Sequence, residues 1–264
     1  MNRLQRLKGI LRKMHSVLVA YSGGTDSTFL LCLAKEVLGS RVLAVTANSP
    51  TYPDQELSFA RKMAKGLGVK HRIIKTLELK DSRFIANPKD RCYFCKSGLF
   101  RRLKDIAKDN KLEFVVDASN LSDRNDYRPG DRAKKEAGIR SPLHEAGFTK
   151  EDIRKYSKLY GLASWDKPSL ACLASRIPYG VKISTGLLAR INKGEIYLKR
   201  IGFKQARLRH YNGTCRLEVS EEDIPRLLEK RQQIVDRLKK LGYNYITADL
   251  EGYRTGSMNE VIRK

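Results

Sequence analysis

The chain has 264 residues, 41% of them apolar and 31% charged, and a formal net charge of +24. That length and apolar share can fill one large core or two small ones, and no run reaches the ~18 consecutive apolar residues of a membrane span, which excludes a membrane-embedded class and a membrane partner. The charge excess points to an anionic partner such as a nucleotide, a phosphorylated substrate or RNA, but the basic residues are spread along the chain without interleaved aromatics, so nucleic acid is not the favoured partner.

The basic opening, "MNRLQRLKGILRKMHS", predicts a short amphipathic helix. No long apolar stretch or small-residue cleavage site follows it, and the chain reads as cytoplasmic. "SVLVAY" (16–21) is a buried strand, followed by a helix from Thr28 to Leu38 capped by Asp26 or Ser27 and closed by Gly39. "RVLAVTA" (41–47) is a second strand, and Pro53 opens a helix through Lys65 with Leu57, Ala60, Met63 and Ala64 on one side. "HRIIKT" (71–76) is a third strand, Leu99, Phe100, Leu103, Ile106 and Ala107 stand at helical spacing, and "FVVDAS" (114–119) is a fourth strand. Strands alternating with helices predict an α/β, doubly wound parallel sheet. A polar loop follows (120–132), then a helix to Tyr160 with a capping box at Thr149 and Asp152. Residues 164–183 form a loop rich in Pro, Ser and Gly; a helix (185–200), two strands around Asn212-Gly213, a helix (222–241) and a last strand, "YITADL", complete a smaller α+β domain. The predicted domains are therefore 1–163 and 164–264.

Between the first strand and its helix lies Ser22-Gly23-Gly24-Thr25-Asp26-Ser27. A glycine-rich turn from a strand into a helix N-terminus aims free backbone N–H groups at an anion. Gly23 and Gly24 let the main chain approach closely, and Ser22, Thr25 and Ser27 supply hydroxyls. Asp26 could hold Mg2+ on the phosphates. The spacing fits neither a P-loop kinase nor a dinucleotide fingerprint. SGGxDS after the first strand resembles the PP-loop ATP pyrophosphatase superfamily (adenine nucleotide alpha hydrolase-like), which implies cleavage of ATP between its α and β phosphates and transfer of AMP to a substrate oxygen. In such folds the end of the second strand, here Thr46-Ala47, meets the adenine.

Five cysteines stand at 32, 92, 95, 172 and 215, an odd number that argues against a disulfide framework. Cys92 and Cys95 form CxxC, and Cys172 lies in a Pro- and Arg-bearing loop. Three thiolates can hold a [4Fe–4S] cluster and leave one iron without a protein ligand. Spacing alone leaves a cluster, a zinc site and redox cysteines open. Cys32 falls on the apolar face of its helix. Downstream, "QARLRHYNGTCRLEV" reads as a hairpin with a type I′ Asn212-Gly213 turn. That register sets Arg209 opposite Arg216 and Arg207 opposite Glu218, and puts Cys215 on the apolar face with Leu208, His210 and Leu217. Like charges directly opposite destabilise a hairpin, so Arg209 and Arg216 call for an anion, and a phosphate suits their forked donors.

"DRCYFCKSGLF", "DASNLSDRNDYRPGDRA" and "KPSLACLASRIPYG", in this order after "AYSGGTDS", resemble the LarE family over about residues 17–250. The resemblance implies an ATP-dependent sulfur transferase for the nickel-pincer cofactor of lactate racemase. Its substrate is the small molecule pyridinium-3,5-biscarboxylic acid mononucleotide, whose carboxylates are adenylylated and then converted to thiocarboxylates. The family has two sulfur strategies: a sacrificial cysteine at the position of Cys172, or three cysteines holding a [4Fe–4S] cluster with an additional sulfide. Cys92 and Cys95 beside Cys172 match the second, which needs an outside sulfide source. The resemblance also implies a substrate phosphate site at Arg207 and Arg209, possible divalent-metal ligands in Glu195 and Glu218, and a homo-oligomer. Ser175 and Arg176 follow Cys172 and could orient the substrate carboxylates, while Asp123, Arg124, Asp126, Tyr127 and Arg128 crowd the loop after strand four, where parallel sheets place ligands. A tRNA thiolation enzyme uses the same turn and is the rival reading. An amidating synthetase would leave the three cysteines and the arginine hairpin unexplained.

Overall fold

The structure, a computed structural model, describes residues 2–125, 129–168 and 171–262. Asp126, Tyr127 and Arg128 lie outside the described residues, as do Ser169 and Leu170 of the Cys172 motif. In chain order the elements are α1 (Arg3–Arg12), β1 (Val17–Ala20), α2 (Thr25–Leu38), β2 (Val42–Asn48), α3 (Asp54–Gly66), β3 (Lys70–Lys75), α4 (Ser82–Ile85), α5 (Arg91–Asp109), β4 (Phe114–Val116), α6 (Gly130–Glu136), α7 (Pro142–Glu145), α8 (Lys150–Leu159), α9 (Thr185–Arg200), β5 (Ala206–Tyr211), β6 (Thr214–Val219), α10 (Ile224–Glu229), α11 (Arg231–Lys240) and β7 (Tyr245–Ala248). No helix among the described residues is long and apolar enough to cross a membrane.

Two compact units emerge. The first comprises residues 1–78 and 90–170, the second 79–89 and 171–264. This differs from a cut at 163/164 for two local reasons. The Thr25 hydroxyl donates to the Ser164 carbonyl at 2.7 Å, which keeps that stretch with the first unit. Buried Asn87 donates its side-chain amide to the carbonyls of Pro178 (2.7 Å) and Val181 (3.0 Å), which takes residues 79–89 into the second.

In the first unit four parallel strands run in the order β3-β2-β1-β4. Alternation along β1 explains why both faces are covered. Val17 and Val19 pack with Leu7 and Leu11 of α1, Phe29 and Leu30 of α2, and Ile153 of α8. Leu18 packs on the opposite side with Phe100, Leu103 and Ile106 of α5 and Ala133 of α6. The result is the expected doubly wound α/β sheet. The chain moves outward from β1 to β3 and returns to β4 on the other flank of β1. The carboxyl ends of β1 and β4 therefore form the switch point where such sheets take ligands.

The second unit has a three-stranded sheet, β5-β6-β7, antiparallel within the hairpin and parallel between β6 and β7. Asn212 and Gly213 both have positive φ, 40° and 88°, as a type I′ turn requires. The hairpin register is the expected one, with Arg209 opposite Arg216 and Arg207 opposite Glu218. Helix α9 crosses β5 at Gly194, where a Cβ would lie only 2.4 Å from Leu208 Cδ1. Elsewhere the elements depart from expectation. The 120–132 loop contains a 3-10 turn and the start of α6, and the helix foreseen over 222–241 breaks at Lys230, whose backbone (φ −90°, ψ 11°) separates α10 from α11.

Candidate functional site

The turn between β1 and α2 is built to leave donors open. Helix α2 starts at Thr25, three residues earlier than foreseen, with Gly24 as its N-cap and no side chain bonded to its first N–H groups. Asp26 and Ser27 thus lie inside the first turn instead of capping it. Gly23 has φ +74°, and a Cβ there would come within 2.7 Å of Ala60 Cβ on α3, so only glycine fits. Ser22 and Ser27 hydroxyls share a hydrogen bond at 3.0 Å, and the Gly24 N–H donates to Ser22 Oγ at 3.3 Å. The side chains brace the loop, while the N-terminus of α2 keeps its capacity for an anion.

Beside this turn lies a cleft of about 120 Å3. Its walls come from Tyr21 and Ser22, from β2 and its continuation through Val45–Ser49, from Glu56 and Leu57 on α3, and from Leu99 and Leu103 on α5. The lining is mostly apolar, which suits a flat base. Thr46, expected to meet the adenine, lines it, its hydroxyl 2.8 Å from His71 Nε2. Burial pushes the His71 imidazole below its usual pKa, which favours the neutral ring.

Asp26 points to the β4 side of the turn. Both its oxygens accept from Lys150 Nζ, at 2.6 and 2.7 Å, and Asn120 from the loop after β4 donates at 3.4 Å. Burial raises the Asp26 carboxyl above its ordinary value, and the nearby Lys150 charge offsets part of that rise. Lys150 and Asn120 were not singled out from the sequence, because neither belongs to the turn that carries the motif. Lys150 N–H also donates to Ser122 Oγ at 3.1 Å, which ties α8 to the same loop.

In the second unit the arginine face of the hairpin is buried, not solvated. Arg207 is 3% exposed, Arg209 5% and Glu218 0%. Glu218 itself supplies the anion that Arg209 and Arg216 require. Arg209 donates from Nε (2.9 Å) and Nη2 (2.6 Å), and Arg216 from Nη2 (3.2 Å). Glu195 likewise accepts a two-pronged bond from Arg176, at 2.8 and 3.0 Å, and the Leu208 N–H at 3.1 Å. Glu195 and Glu218, expected as possible divalent-metal ligands, serve in this structure as counter-ions to buried guanidinium groups.

Arg176, expected to orient the substrate carboxylates, is buried in this structure. It is 1% exposed and donates from Nη1 to the carbonyls of Ala171 (2.8 Å) and Cys172 (3.1 Å) and to Ser175 Oγ (3.0 Å). These bonds brace the Cys172 turn. The Ser175 carbonyl accepts from Arg209 Nη1 at 2.9 Å, which ties that turn to the hairpin. Burial lowers the Arg207 pKa, and the neighbouring Arg176 charge lowers it further. Arg176 pairs with Glu195, Arg209 and Arg216 both pair with Glu218, and Arg216 also reaches Asp249.

The five cysteines separate by environment. Cys215 is fully buried, its thiol pushed up to about 12 by desolvation, and Cys32 is packed against the core and raised for the same reason. Cys92 is exposed and Cys95 half-buried, three residues apart in the first turn of α5 and so on one helix face. Cys172 is half-buried at the head of its turn. Desolvation raises the Cys32 and Cys215 thiols and so disfavours their thiolates. Within each unit, among the described residues, no group of three or more His, Cys, Asp or Glu side chains is gathered to hold a metal ion.

A family model for asparagine synthase matches residues 8–90, which span α1 to the start of α5 and include the glycine-rich turn. An uncharacterized protein of Synechocystis sp. is 40% identical over 100% of this chain and 99% of its own length. The pyridinium-3,5-bisthiocarboxylic acid mononucleotide synthase of Lactiplantibacillus plantarum is 38% identical over 98% of this chain and 94% of its own. An uncharacterized protein of Methanocaldococcus jannaschii is 29% identical over 97% and 98%.

Proposed function

Because the chain belongs to the LarE family of ATP-dependent sulfur transferases, we propose that it converts the carboxylates of pyridinium-3,5-biscarboxylic acid mononucleotide to thiocarboxylates. A substrate carboxylate oxygen attacks the α-phosphorus of ATP, pyrophosphate leaves, and an acyl adenylate remains. A sulfur nucleophile then attacks the acyl carbon and AMP leaves. The observation that carries this reading is the uncapped start of α2 at Gly24, open to an anion beside an apolar cleft.

Each residue has a share in that chemistry. Ser22, Gly23, Gly24, Thr25 and Ser27 would seat the phosphates against the α2 N-terminus, where the helix dipole favours negative charge. Thr46 and its neighbours would line the base. Asp26 would hold Mg2+ once Lys150 releases it. Arg207 and Arg209 would hold the substrate's phosphate, and Ser175 would stand beside the reacting carboxylate. Arg176 keeps Cys172 in place.

The chemistry of three thiols fits an iron–sulfur cluster. Cys92, Cys95 and Cys172 would hold a [4Fe–4S] group, which when bound supplies an additional sulfide on the iron that lacks a protein ligand. Anaerobic purification tests this directly. Iron and sulfide in the purified chain, visible absorption lost in Cys92→Ala, and repeated turnover with added sulfide are expected. An iron-free chain that turns over once and loses the mass of hydrogen sulfide at Cys172 would make that cysteine the sulfur source and remove the cluster.

A further inference from the structure

Lys167 lies in the loop that precedes Cys172, and its ammonium sits at the glycine-rich turn. Nζ is 2.6 Å from Glu56 Oε2 and donates to the Gly23 carbonyl at 3.4 Å. It also lies 3.8 Å from the centre of the Phe59 ring. Both partners of the ion pair are about five-sixths buried, with side-chain exposures of 15% and 16%. Glu56, Phe59 and Ala60 occupy one face of α3, and Ala60 is the residue that meets Gly23. Glu56 also lines the cleft. A nearly buried cation is thus held on an anionic side chain at the edge of the site, beside backbone donors that await an anion.

We propose that Lys167 is a nucleotide-phosphate ligand, and that Glu56 stands in for the phosphate until ATP arrives. On binding, the ammonium leaves the carboxylate for the β and γ phosphates, whose charge Lys meets as a compact point donor. The geometry favours a short swing: Gly23 is already within reach, and the Phe59 ring supports the cation during the exchange. Glu56 therefore competes with ATP for one cation, and its charge lowers the apparent affinity for nucleotide. This rests on the ATP reading given above.

The test uses the full chain and titration calorimetry with α,β-methylene-ATP, which this chemistry cannot cleave, and with AMP. The Lys167→Met variant is expected to bind α,β-methylene-ATP about tenfold more weakly and AMP within about twofold of the wild type, because only the outer phosphates lose a charge-assisted contact. Lys167→Arg should recover part of the loss. Glu56→Gln is expected to tighten α,β-methylene-ATP, the opposite sign. A purely structural ion pair predicts something else: both variants weaken ATP and AMP alike, and that result overturns the proposal. If Lys167→Met does not fold, Glu56→Gln decides alone, tighter binding supporting the exchange and weaker binding ending it. A wild-type chain that binds no α,β-methylene-ATP would remove the ATP reading itself, a failure distinct from one confined to the variants.

Discussion

Gly23 bears two constraints at once, a left-handed backbone and a neighbour at van der Waals contact. Gly23→Ala is expected to cost ~1–3 kcal/mol, from the φ penalty and the displaced Ala60, and to lower the thermal unfolding midpoint accordingly. A wild-type midpoint in the variant would mean that the turn relaxes at no cost. Glu218 is the other residue on which much depends. Glu218→Gln leaves Arg209 buried beside a neutral amide, and the loss of one partner in such a pair costs ~3–5 kcal/mol; urea unfolding would read it. Arg207 can be separated from this framework by chemistry. Arg207→Lys keeps the charge but loses the planar fork, so the KM for the mononucleotide should rise about tenfold with kcat little changed. A change in kcat alone would place Arg207 elsewhere in the reaction. The facing pairs of the hairpin were legible from the Asn212-Gly213 turn, yet the neutralising anion was not. Glu218 faces Arg207 across the ladder and lies diagonally from Arg209. A rule about directly opposed residues misses it, while a long arginine side chain reaches it.

Among the elements, α8 shows what local pattern can fix. The Thr149 side chain accepts the Asp152 N–H at 3.3 Å, and Asp152 Oδ2 accepts the Thr149 N–H at 3.0 Å, the capping box expected from spacing alone. Arg3 adds a bond to Asp152 at 2.7 Å. Thr149→Ala should cost ~1 kcal/mol in thermal unfolding. Its consequence reaches further than the helix, because Lys150, the first residue of α8, holds Asp26 in the nucleotide turn. The same variant is therefore expected to alter Mg2+–ATP affinity, whereas capping lost from a helix remote from the turn would change stability alone. Where pattern misled, the cause is also local. Apolar periodicity continues across Lys230, so nothing in it marks the break between α10 and α11. For α2, Asp26 and Ser27 are good caps by residue type, but Gly24 takes the position because the turn must bring the main chain against α3.

At the scale of the whole molecule, alternation of strands and helices carried the α/β sheet, since each β-branched run needs both faces covered. The division into units was less legible. Residues 79–89 join the second unit through Asn87, a long-range partnership that no spacing announces. Charge is the remaining global property. Arg176, Arg209, Lys150 and Lys167 each pair with a carboxylate, so the excess of +24 resides on other cations. Cations that face solvent are screened by salt over about 8–10 Å. A tRNA thiolation enzyme with this turn would release counterions on binding its substrate, and its affinity would fall steeply with salt while remaining substantial near physiological ionic strength. A mononucleotide enzyme has no need of that. We therefore expect tRNA binding only at low salt, lost by about 0.15 M, and ATP-dependent pyrophosphate release that requires the biscarboxylate mononucleotide and does not respond to added tRNA. Measuring pyrophosphate with each candidate acceptor separates the two. Release driven by tRNA, and absent with the mononucleotide, would move the activated oxygen from a carboxylate to a nucleobase and make the excess charge part of the substrate site.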